Sequence, residues 1–413
     1  MMTTTIQSRK RILFMTVGTG VGTGDEKIRS LAKGLSSSIL CYRPDEIYYF
    51  GSDQSKITID YLKKILEEQG SGSVFDHFIL LDAIDDFNRT FQQMEQVFLE
   101  VKNEDVWVDY TSGTKTMTSC AVVLSVLYHL NITLVGGTRD ERSVVKEGTE
   151  NNIKQNLYSV YDKLLLDKVI EHINSFQFTQ AASILTQIKA IELEQRKFYD
   201  SIIKGLNAWD KFQHNDAFNA LKGIPKGQLA TLHLDDTFGF LGKMTNPKFP
   251  YVNFLLIADL LNNAERRLLE GRYDDAVGRL YRCIEMIGQT GLKNHNLDSD
   301  KLKISDLATL ISANHPLLTD LKKKEVNGLL KVALEDDFRI LDALDDPLGK
   351  EYLNDKKVHS LLSKRNYSIL AHGFDPIMKE DAESLLNVVI HYADCQNPEM
   401  IGFRKSAQFP KIS

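Results

Sequence analysis

The strongest constraint in this sequence is a change of grammar near residue 160. Before it, short β-rich runs alternate with helical stretches; after about Tyr161 the strand signal vanishes and helix follows helix. The early runs are Arg11 to Val17 (RILFMTV), Glu46 to Phe50, Phe78 to Leu81, Val106 to Asp109 (VWVD) and Ile132 to Val135. Helical patterns lie between them, at Glu26 to Leu35, Thr58 to Gln69, Phe87 to Val101 and Thr116 to Leu130. Strand, helix, strand at this pitch builds βαβ units, and so a mostly parallel sheet covered on both faces. Several runs are apolar without alternation, as strands buried on both faces must be.

The expected fold class is therefore α/β plus all-α. A Rossmann-like domain with a parallel sheet spans 1–160, a helical connector 161–249 and a C-terminal α-helical domain 250–413. At 413 residues the chain is too long for one ordinary core. The later helices break at Gly223 to Gly227, Asn246 to Pro250, Gly271 and Asp345 to Gly349, and the Asn246 loop is the best internal boundary. Helices opening at Phe178, Asp216 and Tyr273 each begin with an aromatic and a small residue, but at no constant period, so no solenoid is expected.

Composition removes several classes of function. No apolar run reaches the roughly 18 to 20 residues of a membrane span, and the polar, basic start lacks a signal-peptide core. Cys41, Cys120, Cys283 and Cys395 show no CxxC or metal-ligand spacing and read as reduced thiols of a cytoplasmic protein. A net charge of −6 will not draw nucleic acid to the whole surface, although it leaves room for a local basic groove. With no basic recognition helix either, stable DNA binding is not expected.

Ligands of open parallel sheets bind beyond the carboxyl ends of the strands. Two glycine-rich segments follow such ends: Gly18-Thr19-Gly20-Val21-Gly22-Thr23-Gly24, and Thr111-Ser112-Gly113-Thr114-Lys115 after the VWVD strand. Glycines let the backbone approach an anion, helix-opening amides point at it, and the hydroxyls and Lys115 add donors and charge. Gly136-Gly137-Thr138-Arg139 is a third contributor. A GxGxxG run from Gly18 fails at Thr23, and a Walker A loop fails because Thr114 separates Gly113 from Lys115. Each loop alone is equally well a tight turn; the pair at one sheet edge favours a cradle for phosphates or a polar nucleotide.

In the helical domain the informative stretch is VHSLLSKRNYSILAHG, Val358 to Gly373. Read as one helix, it puts Arg365 and His372 on an apolar stripe with Val358, Leu361, Leu362 and Ile369. Gly373 then stops the helix and leaves His372 at the negative end of its dipole. Asn366 can brace either group. Arg and His without acidic metal ligands suit RNA cleavage by transesterification, the guanidinium steadying charge and the imidazole moving protons. Seven residues separate the groups by about 10 Å along a helix axis, too far for one phosphate. Either the helix is broken there, or two chains bring their motifs together across an apolar seam. The plainer alternative is a structural Arg and His paired with a carboxylate such as Glu285, which also stands three residues from Arg282.

Taken in order, these residues resemble the CARF–HEPN ribonucleases that accompany type III CRISPR systems. The likeness rests on VGTG after the first strand, Asp109-Tyr110-Thr111-Ser112-Gly113-Thr114-Lys115-Thr116-Met117 after a later one, Leu280-Tyr281-Arg282-x-x-Glu285, and Arg365-Asn366-x5-His372-Gly373. It covers about 10 to 160 for CARF and 250 to 395 for HEPN; the connector between them matches nothing. The resemblance implies a homodimer whose CARF domain binds a cyclic oligoadenylate through Gly18, Thr19, Gly20, Thr111, Ser112, Gly113, Thr114 and Lys115. Cyclic tetra-adenylate is favoured over hexa-adenylate, although Ser112 stands where a glycine is common. It also implies that Arg365, Asn366 and His372 cleave single-stranded RNA across the dimer, with no metal or other cofactor, leaving a 2′,3′-cyclic phosphate. Some members cleave their own activator, which Thr111 or Lys115 could serve. Two further readings are a catalytically inactive sensor acting through a protein partner, and a nucleotide-dependent enzyme seated in the α/β domain.

Overall fold

The computed structural model describes residues 9–20, 24–72, 74–138, 145–146, 148–155, 157–231, 234–312 and 314–412. The chain forms two compact units. One holds the chain up to Leu166 with Gln187–Ile191; the other holds Asp167–Thr186 and the chain from Glu192 onward.

In the first unit, strands β1 (Arg11–Val17), β2 (Glu46–Gly51), β3 (Phe75–Leu80), β4 (Asp105–Asp109), β5 (Asn131–Gly136) and β6 (Asn151–Gln155) make one sheet in the order 3-2-1-4-5-6. The first five are parallel, as the βαβ pattern requires, and β6 runs antiparallel to β5. Helices α1 (Asp25–Tyr42), α2 (Lys56–Glu68), α3 (Phe87–Val101) and α4 (Lys115–Leu127) fill the crossovers. The apolar run of β1 divides by the two-residue pleat. Ile12 and Phe14 join Met94, Phe98, Cys120 and Leu124 on one face, while Leu13, Met15 and Val17 join Ala32, Leu35 and Leu62 on the other. The sequence did not announce β6, whose residues NNIKQ carry one apolar side chain.

In the second unit and leading into it, six helices fill the connector: α5 (Tyr158–Asn174), α6 (Phe178–Gln187), α7 (Leu193–Asp210), α8 (His214–Lys222), α9 (Lys226–Thr231) and α10 (Asp235–Met244). Then come α11 (Val252–Leu269), α12 (Tyr273–Asn294), α13 (Ile304–Ala308), α14 (Pro316–Lys322), α15 (Leu334–Ala343), α16 (Pro347–Asn354), α17 (Lys356–Asn366), α18 (Lys379–Gln396) and α19 (Met400–Ser406). The stops and starts follow local chemistry. Asp346 accepts from Leu348 N ahead of Pro347, and Asp355 accepts from Lys357 N and Val358 N to open α17. One expectation fails: a two-residue hairpin, β7 (Glu325–Val326) and β8 (Leu329–Leu330), interrupts the helices around an Asn327–Gly328 turn. No described helix is long and apolar enough to cross a membrane.

Candidate functional site

Strands β1 and β4 are neighbours in the sheet, with β2 and β3 beyond one and β5 and β6 beyond the other. Strand order reverses between them, so the loops that leave their carboxyl ends flank the switch point. Both predicted glycine loops leave there, and they are laced together. Gly18 N–H donates to Ser112 Oγ at 3.0 Å, and the Thr16 hydroxyl donates to the Ser112 carbonyl. A Cβ on Gly18 would stand 3.2 Å from the Gly113 amide nitrogen and Cα, which is why glycine suits that position.

The hydroxyls divide into structural and uncommitted ones. Thr114 caps α4, accepting from Met117 N at 3.2 Å while donating to the Ile84 carbonyl at 2.9 Å. Thr111 accepts from Val135 N at 2.7 Å, tying the loop to β5, and its amide donates to Asp109 Oδ1 at 2.8 Å. Asp109 is fully buried at the end of β4. Burial pushes its carboxyl up from the ordinary value, opposed by hydrogen bonds from Ser38 and Thr111. The Ser112 hydroxyl serves as acceptor and keeps its proton. Thr19 is half-buried, Gly20 is exposed, and Lys115 stands exposed at the first position of α4. The opening amides of α4 and this cation can face an anion. Of the third segment, Gly136 ends β5 and Thr138 N–H donates to Thr149 Oγ1 at 3.1 Å. Arg139 lies outside the described residues, as do Val21, Gly22 and Thr23.

The helical unit corrects the sequence reading of Val358 to Gly373. Helix α17 ends at Asn366, so Arg365 and His372 do not share a helical face, and His372 does not end a helix. The chain folds back instead. Ser368 N bonds Arg365 O at 3.0 Å, Ile369 N bonds Asp375 O at 3.1 Å, and Gly373 N bonds Ser368 O at 3.1 Å. Gly373 permits this: a Cβ there would lie 1.8 Å from the Tyr367 carbonyl oxygen. Of the two alternatives offered for the spacing, the break in the helix is the one found. Ile369 is 61 % exposed instead of lining the stripe with Val358, Leu361 and Leu362, which are buried.

Asn366 links the other two residues of the motif. Its Oδ1 accepts from Arg365 Nη1 at 3.1 Å, and its carbonyl accepts from His372 N at 3.2 Å. The Arg365 guanidinium lies over the Tyr281 ring, 4.3 Å from its centroid. Burial pushes the Tyr281 phenol up, Glu285 adds to this and Arg365 opposes it. The alternative pairing with Glu285 is not found: Glu285 takes Arg282 at 3.1 Å, and no described carboxylate forms an ion pair with Arg365. Its charge therefore stays un-neutralised, at the edge of a groove of about 350 Å³ lined by Leu260, Asp275, Arg279, Arg282 and Leu370.

Sequence reasoning missed Tyr281. Within Leu280-Tyr281-Arg282-x-x-Glu285 only the charged residues drew a functional reading, whereas the ring of Tyr281 is what seats Arg365. A larger cavity of about 630 Å³ opens beside His214, Asn246 and Phe249. There the His214 imidazole bonds buried Asp259 at 2.7 Å, which also accepts from Trp209 Nε1 at 2.8 Å. That trio joins α7 and α8 to α11 and needs no ligand to explain it.

Two family profiles match the chain: the Csm6 6H domain over residues 161–243, where α5 to α10 lie, and the Csm6 HEPN domain over 246–396. The connector, silent in the sequence, thus has relatives. Among solved structures, the chain is similar to Enterococcus italicus Csm6 bound to cyclic hexa-2′-fluoro-hexa-dAMP. The TM-score is 0.64 at 14% identity, over 96% of this chain and 99% of that one. Can2 from Sulfobacillus thermosulfidooxidans, in complex with cyclic tetra-adenylate, matches at TM-score 0.24 and 9% identity over 50% and 68%. No curated protein matches.

Proposed function

The chain belongs to the Csm6 family of CARF–HEPN proteins, and from that premise we propose that it is a CRISPR-associated endoribonuclease switched on by a cyclic oligoadenylate. The observation that carries the reading is Arg365. A guanidinium held by a ring and an amide, with no carboxylate to neutralise it, is prepared for an anion that arrives from outside. Single-stranded RNA supplies that anion. The ribose 2′-hydroxyl loses its proton to an imidazole and attacks the adjacent phosphorus. The P–O5′ bond then breaks, the 5′-oxygen takes a proton, and a 2′,3′-cyclic phosphate remains. Arg365 meets the charge that grows on the phosphoryl oxygens, and Asn366 holds Arg365 in place.

This reaction moves two protons and each chain offers one His372. A second copy, seated on the exposed Tyr367, Ile369, Leu370 and Phe374, supplies the other imidazole; Phe374 alone is 92 % exposed. The composite homodimer of the sequence reading is retained on this ground. The activator is proposed to sit at the switch-point loops, on Gly18, Thr19, Gly20, Ser112, Gly113 and Lys115, with Thr111 and Thr114 shaping the loop. A cyclic hexa-adenylate, whose analogue the Enterococcus italicus protein holds, is the first ring to try, ahead of the tetra-adenylate that the sequence favoured. The activator works by binding the active arrangement more tightly than the inactive one.

The test is cleavage of a fluorescent single-stranded RNA in EDTA, with and without each ring, beside His372→Ala. Cleavage with one ring and a loss of about 10³-fold in the variant supports the reading. Tight binding of a ring with no cleavage of any RNA would return the protein to the sensor class.

A further inference from the structure

Away from the Arg365 groove, α16 and α18 bring together three side chains to which the nuclease chemistry gives no role. We propose that Glu351, His391 and Cys395 form a surface site for a thiophilic divalent cation, zinc in the first place.

The geometry points to a metal more than to an ion pair alone. His391 Nε2 lies 2.7 Å from Glu351 Oε1 and 3.7 Å from Cys395 Sγ, so one nitrogen faces both partners. One ligating atom from each residue lies within 4.8 Å of the others, and among the described residues no other trio of such groups converges. Zinc bonds of about 2.0 Å to nitrogen and 2.3 Å to sulfur give a tetrahedral N···S edge of about 3.6 Å. The imidazole and thiol already stand at that separation. The N···O edge of such a site is about 3.3 Å, so the carboxylate has only to draw back by about half an ångström when the metal replaces the shared proton.

Charge and connectivity agree. A thiolate, a carboxylate and a neutral imidazole carry two negative charges and offset a dication. His391 and Cys395 stand one helical turn apart on α18, while Glu351 comes from α16. The ligating helix is itself anchored, because Tyr392 OH donates to Asp355 Oδ2 at 3.0 Å. Among the described residues, the Glu351 and Cys395 side chains make no other hydrogen bond or ion pair, so coordination there displaces only the Glu351–His391 bond. All three residues are exposed, which gives an ion direct access and leaves its fourth position to water. The bound ion would clip α16 to α18. Sequence spacing rules look for pairs of cysteines, so a His-x3-Cys on one helix completed from another passed unread.

The site is independent of the nuclease reading and is tested apart from it. Chelator-stripped full-length protein is titrated with Co²⁺ under anaerobic conditions. The expected result is one equivalent bound, with thiolate-to-cobalt charge-transfer absorption and tetrahedral d–d bands that Zn²⁺ abolishes. Zn²⁺ also raises Tm by a few degrees, through the binding linkage. Cys395→Ser removes the charge-transfer band and the Tm shift, and Glu351→Gln or His391→Gln weakens binding by at least about tenfold. Cys395 is exposed, so the metal-free Tm of its serine variant should equal that of the natural chain. Absence of the band in the natural protein, or an unchanged band in Cys395→Ser or His391→Gln, overturns the proposal.

Discussion

The two sets of polar residues singled out in this chain are held ready in opposite ways. At the switch point of the α/β unit, the loops are fastened to each other and to the sheet. Gly18 bonds Ser112, Thr111 bonds Val135, and Thr114 bonds both Met117 and Ile84. In the helical unit the Arg365–Gly373 segment is closed by its own backbone, and its large side chains face outward. A loop whose donors are already arranged suits a ligand that arrives complete. A segment that exposes Tyr367, Ile369, Leu370 and Phe374 next to an un-neutralised arginine reads as half of a site. Under the proposed function, the first set belongs to the receptor for the activator and the second to a catalyst finished by association.

Substitutions can break this contrast. The largest effect is expected at Gly373. Its added Cβ meets backbone at 1.8 Å, and no side chain can move away to relieve it. Gly373→Ala should lower RNA cleavage by about 10²-fold or more while activator binding, measured by calorimetry, stays unchanged. Gly18→Ala faces contacts of 3.2 to 3.3 Å, which neighbours can absorb with small shifts, and should weaken the activator several-fold with chemistry intact once saturated.

An effect smaller than that at Gly373 sharpens the account of Arg365. Tyr281→Leu keeps bulk but removes the ring under the guanidinium, an interaction of about 0.5 to 2 kcal/mol. It should reduce kcat by about two- to thirtyfold with little change in KM, whereas Tyr281→Phe should retain most activity. Equal activity in the leucine variant would leave Tyr281 a packing residue. Smallest of all, Ser112→Ala removes the acceptor for Gly18 N–H, a bond of about 1 kcal/mol. Activator affinity should fall by roughly fivefold, and activation at saturating ring should be unaffected.

The sequence was most informative where burial dictates it. The run Arg11–Val17 is bounded as expected, because an apolar stretch between a charged residue and a glycine has one way to sit in a doubly covered sheet. Phe87–Val101 is likewise bounded as expected, with Asp86 as its cap. Strand β6 was hidden because NNIKQ has no apolar period, and its place is set by pairing with β5. The length of α17 was misread for the converse reason. Its apolar spacing continues past Asn366, but the backbone turns back there through local hydrogen bonds, with Gly373 close against the Tyr367 backbone. Arg365 and His372 were legible as chemistry. Asn366 was legible beside them as a brace, but the seat of Arg365 on Tyr281 was not, since α12 and α17 are distant in the chain.

The central claim is that each chain carries half of a nuclease site, and subunit mixing tests it most directly. Natural protein is mixed and re-equilibrated with His372→Ala at constant total concentration and saturating activator. If both imidazoles serve one site, activity falls as the square of the natural fraction, to about a quarter in an equal mixture. A linear fall, to about half in that mixture, would mean that one chain holds a complete site and would contradict the account.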